Sequence, residues 1–296
     1  MQIGDKIGGD VKTLTVVSGK GGTGKTSIVG SFASLIKNAV FADCDVDAAD
    51  LSLIMDAEVK TVREFKASQK AFIDVAKCVQ CGACEDVCRY NAIREYKVNS
   101  FLCEGCQVCS LVCPEGAISM EDVRSGQLFV SDTPYGPLVH ARLEPGEENS
   151  GKLVTLVRQT AEQIARDKGR QYILVDGPPG IGCPVIASLT GVTASLIVTE
   201  PTLSAISDLE RVLSVCNHFN VPAFVCVNRC DLHEGNVRQI TEFCEREGVE
   251  ILGMIPYDPN VTRALVHNKP VVGYAESAAS QHIRTLWDRL AERATL

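Results

Sequence analysis

Thr13-Leu-Thr-Val-Val-Ser18 runs directly into Gly19-Lys20-Gly21-Gly22-Thr23-Gly24-Lys25-Thr26, and Ser27 to Lys37 follows as a helix-compatible segment. The first six residues are a short β-branched run, which predicts a buried strand. Strand, glycine loop and helix succeed one another, and the loop has the spacing G-x4-G-K-T. That order places backbone N–H groups and a helix N-terminus around phosphates, with Lys25 toward the β/γ oxygens and the Thr26 hydroxyl on Mg²⁺. Gly19, Gly21 and Gly24 also satisfy G-x-G-x-x-G, and Asp43 lies about where a dinucleotide fold keeps its ribose-binding acid. Lys25-Thr26 decides against that reading, because a dinucleotide loop needs neither a lysine nor a magnesium-binding hydroxyl there.

Further along, Cys78, Cys81, Cys84 and Cys88 are followed, shifted by 25 positions, by Cys103, Cys106, Cys109 and Cys113. The spacing C-x2-C-x2-C-x3-C thus occurs twice, and Ala92-Ile93 and Ala117-Ile118 recur at the same offset. Three thiolates on one tight loop can occupy three irons of a cubane, and the fourth ligand comes from the other repeat. Two interlocked [4Fe–4S] sites are expected: Cys78, Cys81, Cys84 with Cys113, and Cys103, Cys106, Cys109 with Cys88. Gly82 and Gly105 relieve backbone crowding in the ligand loops. Zinc is bound by four ligands, commonly as separated C-x2-C pairs, so it and a disulfide knot fit this pattern poorly. The stretch resembles the bacterial two-cluster ferredoxins. One departure is Cys88-Arg89 where the second repeat has Cys113-Pro114, a cation that could shift one potential.

Lys20 is a second lysine that a plain P-loop does not require. With it the loop resembles the deviant Walker A motif of the ATPases that include MinD, ParA, the Mrp-type proteins and the nitrogenase iron protein. The resemblance implies that Lys20 reaches across an ATP-bound dimer to the partner's nucleotide. It implies nucleotide contacts from Gly19, Gly21, Gly22, Thr23, Gly24, Lys25, Thr26 and Ser27. Val40-Phe-Ala-Asp43 predicts a second strand, and Asp43-Cys44-Asp45-Val46-Asp47 after it looks like switch I, with Asp45 orienting the attacking water and Asp43 and Asp47 as competitors. Tyr172-Ile-Leu-Val-Asp176 has the Walker B form, so Asp176 would hold Mg²⁺ with Thr26. Gly177-Pro-Pro-Gly-Ile-Gly182 resembles switch II. Asn228 matches an adenine-reading asparagine, its amide suited to both a ring nitrogen and an exocyclic amine; Arg229 follows it, and Pro256 and Asp258 lie in a second base-flanking loop. Cys183 stands seven residues after Asp176. A cysteine at that spacing in the nitrogenase iron protein ligates a shared cluster, against which stands the ordinary burial of a small residue.

Composition bounds these readings. The 296 residues suit one large domain plus a module of about fifty residues. With 45% hydrophobic and 22% charged residues, disorder is excluded. The net charge of −8 argues against a nucleic-acid binder. Fourteen cysteines together with a start, Met1 to Asp10, that lacks an apolar h-region point to a reducing, cytoplasmic setting. No apolar run reaches the eighteen or more residues of a membrane span. The C-terminal stretch carries Ile283, Leu286, Trp287 and Leu290 on one helical face beside mixed charges, so it is expected to pack on the sheet instead of lying on a membrane.

The expected fold is α/β: a mostly parallel, doubly wound P-loop sheet from residues 1–65 and 153–296, interrupted by a small α+β ferredoxin-like insert at 66–122 and a connector at 123–152. In the connector the acidic run from Glu144 to Glu148 is read as solvated surface and His140 as structural. The function expected is ATP hydrolysis by a homodimer, or a heterodimer with a paralogue, coupled to electron transfer through two [4Fe–4S] clusters to an unidentified redox partner. Two alternatives are an Mrp-type iron–sulfur carrier and a MinD-like positioning ATPase with structural clusters.

Overall fold

The computed structural model describes residues 11–294; the Met1 to Asp10 stretch lies outside them. Strands are β1 (Lys12–Ser18), β2 (Ala39–Asp43), β3 (Glu58–Ile73), β4 (Ile93–Arg94), β5 (Lys97–Val98), β6 (Ile118–Thr133), β7 (Gly136–Leu143), β8 (Tyr172–Pro179), β9 (Ala194–Thr199), β10 (Ala223–Asn228) and β11 (Ile251–Ile255). Helices are α1 (Lys25–Ala33), α2 (Leu51–Ile54), α3 (Ala83–Asp86), α4 (Val108–Val112), α5 (Ser150–Asp167), α6 (Cys183–Leu189), α7 (Ala205–His218), α8 (Glu234–Glu247), α9 (Pro259–Val266), α10 (Val271–Tyr274) and α11 (Ala278–Arg293). The chain divides into two compact units: residues to 62, 128–142 and from 150 onward, and residues 63–127 with 143–149. β3 and β6 are each divided between the two.

In the first unit the sheet runs β11-β10-β9-β1-β8-β2-β7-β6-β3. β1 pairs parallel with β8 and β9, β2 with β8 and β7, and β10 with β9 and β11. The parallel strands are buried on both sides, which is why their sequences are continuous apolar runs. Leu14, Val16, Phe32, Phe41, Ile283, Leu286 and Leu290 fill one face. Val17, Ile197, Val225, Leu209, Val212, Ile240 and Phe243 fill the other. The expected C-terminal helix is α11; a capping box from Ser277 and Ser280 starts it, and Trp287 lies 5.1 Å from the Phe32 ring.

The connector reading is corrected. Residues 118–143 are two strands joined across Pro134-Tyr135, where Thr133 Oγ1 accepts from the N–H groups of Tyr135 and Gly136 at 3.2 Å each. β7 extends the sheet by pairing Phe41 to Asp43 with Leu138 to His140. Leu138, Val139 and Ala141 are fully buried, so this segment belongs to the core. His140 is structural as expected: its Nε2 is 2.9 Å from Ser131 Oγ and its ring stacks on Phe129.

The second unit holds the remainder of β3 and β6, the antiparallel pair β4-β5, and helices α3 and α4. Its small core is Ala71, Ile73, Cys84, Ala92, Ile93, Cys103, Cys109 and Ile118.

Candidate nucleotide site and cysteine cavities

The glycine loop leaves the C-terminal end of β1, the edge at which open α/β sheets bind ligands. Gly22 and Gly24 have φ of 81° and 87°, conformations open to glycine at no steric cost. Gly24 is the N-cap of α1, so the helix starts at Lys25, two residues before the sequence-predicted Ser27. Lys25 and Thr26 therefore stand in its first turn. Asn228, from the end of β10, donates from Nδ2 to Thr23 O at 2.8 Å. A Cβ at Gly24 would approach that amide to 2.4 Å.

Lys25 Nζ lies 2.5 Å from Asp176 Oδ1 and 3.5 Å from Thr26 Oγ1. The lysine is 5% exposed and the aspartate 0%. Burial, the largest single influence, works against the Lys25 charge, but the Asp176 carboxylate together with Asp43 and Asp45 outweighs it and holds the ammonium pKa above its ordinary value. Asp176 Oδ2 and Thr23 Oγ1 are buried and have no partner. An orphaned carboxylate oxygen beside a helix N-terminus and a threonine hydroxyl is a donor set suited to a hydrated Mg²⁺.

The three acids after β2 separate by environment. Asp43 is fully buried, and its two oxygens accept from the N–H groups of Asp45 at 3.1 Å and Leu51 at 3.0 Å, which fixes the turn into α2. Burial, then the Asp176 charge, push its carboxyl well above the usual range. Asp45 is half-buried, and desolvation raises it to about 6 against the pull of Lys25. Asp47 is exposed.

Lys20 donates to Thr202 Oγ1 at 2.8 Å and pairs with Glu200 Oε1 at 3.1 Å, while Arg229 holds the other Glu200 oxygen at 2.8 Å. In this chain alone it is folded back onto the loop after β9. Gly24, Ser27, Asn228, Arg229, Pro256 and Asp258 all line one open cavity of about 530 Å³. The Asp258 carboxylate is already committed, accepting from Asn260 N–H at 2.8 Å and Ala279 N–H at 3.1 Å, so it shapes the loop and leaves any base contact to others. Cys183 is exposed at the first position of α6. Cys216, Cys226 and Cys244 are buried core residues.

In the second unit all eight motif cysteines are free thiols. Cys78, Cys81, Cys84 and Cys113 line one cavity of about 350 Å³. Cys88, Cys103, Cys106 and Cys109 line another of about 360 Å³. Gly82 and Gly105 have positive φ, and a Cβ at Gly105 would meet Gln69 O at 2.3 Å. Among the described residues no group of three or more His, Cys, Asp or Glu is drawn together around the position of a single metal ion. Backbone N–H groups point at sulfur: Ala92 to Cys88 and Ala117 to Cys113 at 3.3 Å each, and Ala71 to Cys103 at 3.5 Å.

Two residues here carry no motif and escape sequence reading. Lys70 Nζ donates to Cys103 O at 2.8 Å and pairs with Glu147 at 3.3 Å, the two side chains 13% and 12% exposed. Glu147 also accepts from Ser68 Oγ. The acidic run is thus only partly solvated surface: Glu147 is partly buried in its pair with Lys70 and Glu144 is bonded to Arg124. No local signal marks this, because the partners lie 77 positions apart or nearby only through the β3–β6 pairing.

Comparison with known proteins places the fold. The profile of the CobQ/CobB/MinD/ParA nucleotide binding domain matches residues 14–271. An uncharacterized protein of Methanocaldococcus jannaschii is 34% identical over 96% of this chain and 98% of its own length. The septum site-determining protein MinD of Bacillus subtilis is 22% identical over 94% of this chain and 88% of its own. Among solved structures, MinD of Pyrococcus horikoshii complexed with Mg-ADP superposes with a TM-score of 0.61 at 17% identity, covering 96% of this chain and 97% of that one. None of these descriptions mentions iron–sulfur clusters; the likeness is to MinD as an ATPase. No described helix is long and apolar enough to cross a membrane. With the P-loop, Walker B acid and parallel sheet in place, the chain belongs to the CobQ/CobB/MinD/ParA nucleotide-binding family and is a P-loop ATPase of the MinD/ParA type.

Proposed function

We propose that this ATPase carries two [4Fe–4S] clusters, one per cysteine quartet, and that ATP-driven dimer closure governs one-electron transfer from a low-potential reductant to an acceptor protein. One observation carries the reading: two cavities of nearly equal volume, each lined by four cysteines, three from one repeat and the fourth from the other. Four thiols ranged around a wall, instead of drawn to a point, suit a multi-atom cluster better than one ion. When bound, such clusters supply one-electron redox chemistry.

The chain's own residues do the rest. Arriving phosphates attract Lys25 away from Asp176, which leaves Asp176 and Thr26 to hold Mg²⁺. Asp45 orients the water whose oxygen bonds to the γ-phosphorus as the bond to ADP breaks, and the released phosphate takes up the proton. Asn228 and Arg229 border the base. Lys20 exchanges Glu200 and Thr202 for the nucleotide of a second copy or a paralogue, so closure of the dimer completes the site.

The test is anaerobic purification with iron and sulfide analysis, then electron transfer to an acceptor with and without ATP. About eight irons per chain are expected, falling to about four in Cys113→Ser and unchanged in Cys183→Ser. Background iron would remove the cluster assignment. Full iron with a transfer rate indifferent to both ATP and Asp45→Ala would remove the coupling. Chelator-resistant iron would separate resident clusters from a carrier's labile one.

A second reading is a positioning ATPase in which the clusters are structural. The names of the curated relatives favour it more directly than they favour electron transfer, since MinD is described as septum site-determining. ATP-dependent recruitment to a membrane or filament that survives loss of redox activity would support it.

A further inference from the structure

Lys70 is an unusual neighbour for a cysteine quartet. It is a partly buried ammonium, 13% exposed, donating to the carbonyl of Cys103. Partly buried ion pairs stabilise folds little once desolvation is counted, so stability alone gives Lys70–Glu147 little reason to exist. The 25-residue repeat supplies a comparison. Ala71 lines the cavity of the second quartet, and Tyr96, 25 positions on, lines that of the first. The same offset carries Lys70 onto Glu95, an exposed residue, so the ammonium beside the second quartet has no counterpart at the first; the cavities themselves are lined by one glutamate each, Glu115 in the first and Glu104 in the second. The second quartet also receives N–H bonds at Cys88 and Cys103, whereas the first has the Ala117 bond to Cys113. Arg89, the cation visible in the sequence, is exposed and its charge is screened by water and salt.

Resting on the two-cluster reading, we infer that Lys70 is the residue that makes the two clusters unequal: it raises the reduction potential of the one held by Cys88, Cys103, Cys106 and Cys109, and Glu147 moderates it. Reduction adds one negative charge, which a fixed ammonium and N–H donors stabilise. The higher-potential cluster is then the one that receives the electron, and the order within the module is from the first quartet to the second. Glu147 acts on the potential through Lys70, so it is a positioning residue.

The experiment is an EPR-monitored redox titration of the anaerobically purified full chain, with Cys113→Ser assigning the signal of the second quartet. Lys70→Gln should lower that midpoint by about tenfold in the one-electron equilibrium, or about 59 mV. Glu147→Gln should raise it, Lys70→Arg should keep it, and the double Lys70→Gln/Glu147→Gln should return it close to the parent. The other midpoint should hold still throughout. Equal movement of both midpoints, movement of the two single variants in the same direction, or no movement in either overturns the inference while leaving the clusters in place. A parent chain without iron or an EPR signal overturns the two-cluster reading itself, and this inference with it.

Discussion

Replacing Lys25 by Met removes one half of an ion pair whose other half has no access to water. The Nζ to Oδ1 separation is 2.5 Å, with Lys25 5% and Asp176 0% exposed. At an effective dielectric constant of about 20 the attraction is about 7 kcal/mol, most of it offset by taking both charges out of water. Removing only the cation keeps the cost and loses the return. Asp43, a fully buried carboxyl that burial and the Asp176 charge push well above the usual range, supplies no compensation. The expected loss of stability in the nucleotide-free protein is about 3–5 kcal/mol. With a urea slope of about 3 kcal/mol/M, the midpoint should fall by about 1 to 2 M. Trp287 is the sole tryptophan, and it packs on Phe32 of α1, so its fluorescence reports the helix that carries Lys25. Lys25→Met/Asp176→Leu, which removes both charges, should recover most of the loss, because no buried carboxylate is then left without its cation. An unchanged midpoint for Lys25→Met would refute the reasoning, as would a double variant no more stable than the single one.

Lys20→Ala should separate stability from activity. Its pair with Glu200 is 32% and 13% exposed, so the stability from urea unfolding should change by less than about 1 kcal/mol, while ATP turnover falls at least about tenfold with loss of the closed dimer in sedimentation. His140 gives a pH signature. Burial, with Arg142 nearby, lowers it from 6.5 to about 4, so the unfolded chain binds a proton that the native protein refuses. Stability is therefore lost as pH falls from about 6.5 to about 4, by up to about 3 kcal/mol. His140→Gln should flatten that part of the acid-unfolding profile, and an identical slope in the variant would contradict the assignment.

The nucleotide loop was legible because its determinants are contiguous. Glycines at Gly22 and Gly24, a β-branched run before them and a helix after them are all local choices. The grouping of the cysteines was legible for a related reason, since a repeated spacing implies two interlocked sets without knowledge of the path between them. β3 was not legible. Its first half, Glu58 to Glu64, is exposed at every position and mixes charged residues with Val59 and Val62, as an outermost strand protected against pairing with another chain would. Residues 123–143 read locally as a connector with short extended pieces because Pro134, Gly136 and the later Pro145-Gly146 dominate the pattern, although Leu138 to Ala141 are buried strand.

The sequence by itself determined the glycine loop, the acid at the end of its apolar strand, the class of sheet and the grouping of eight cysteines into two sets, because each depends on short spacings that the backbone must obey. Tertiary structure decided which of the charged groups meet. Asp176 took Lys25 as its partner, Asp43 was spent on backbone N–H groups, Lys20 turned to Glu200, and Glu147 crossed to Lys70. Such pairings depend on burial and on the register of strands far apart in the chain, and no local pattern encodes either.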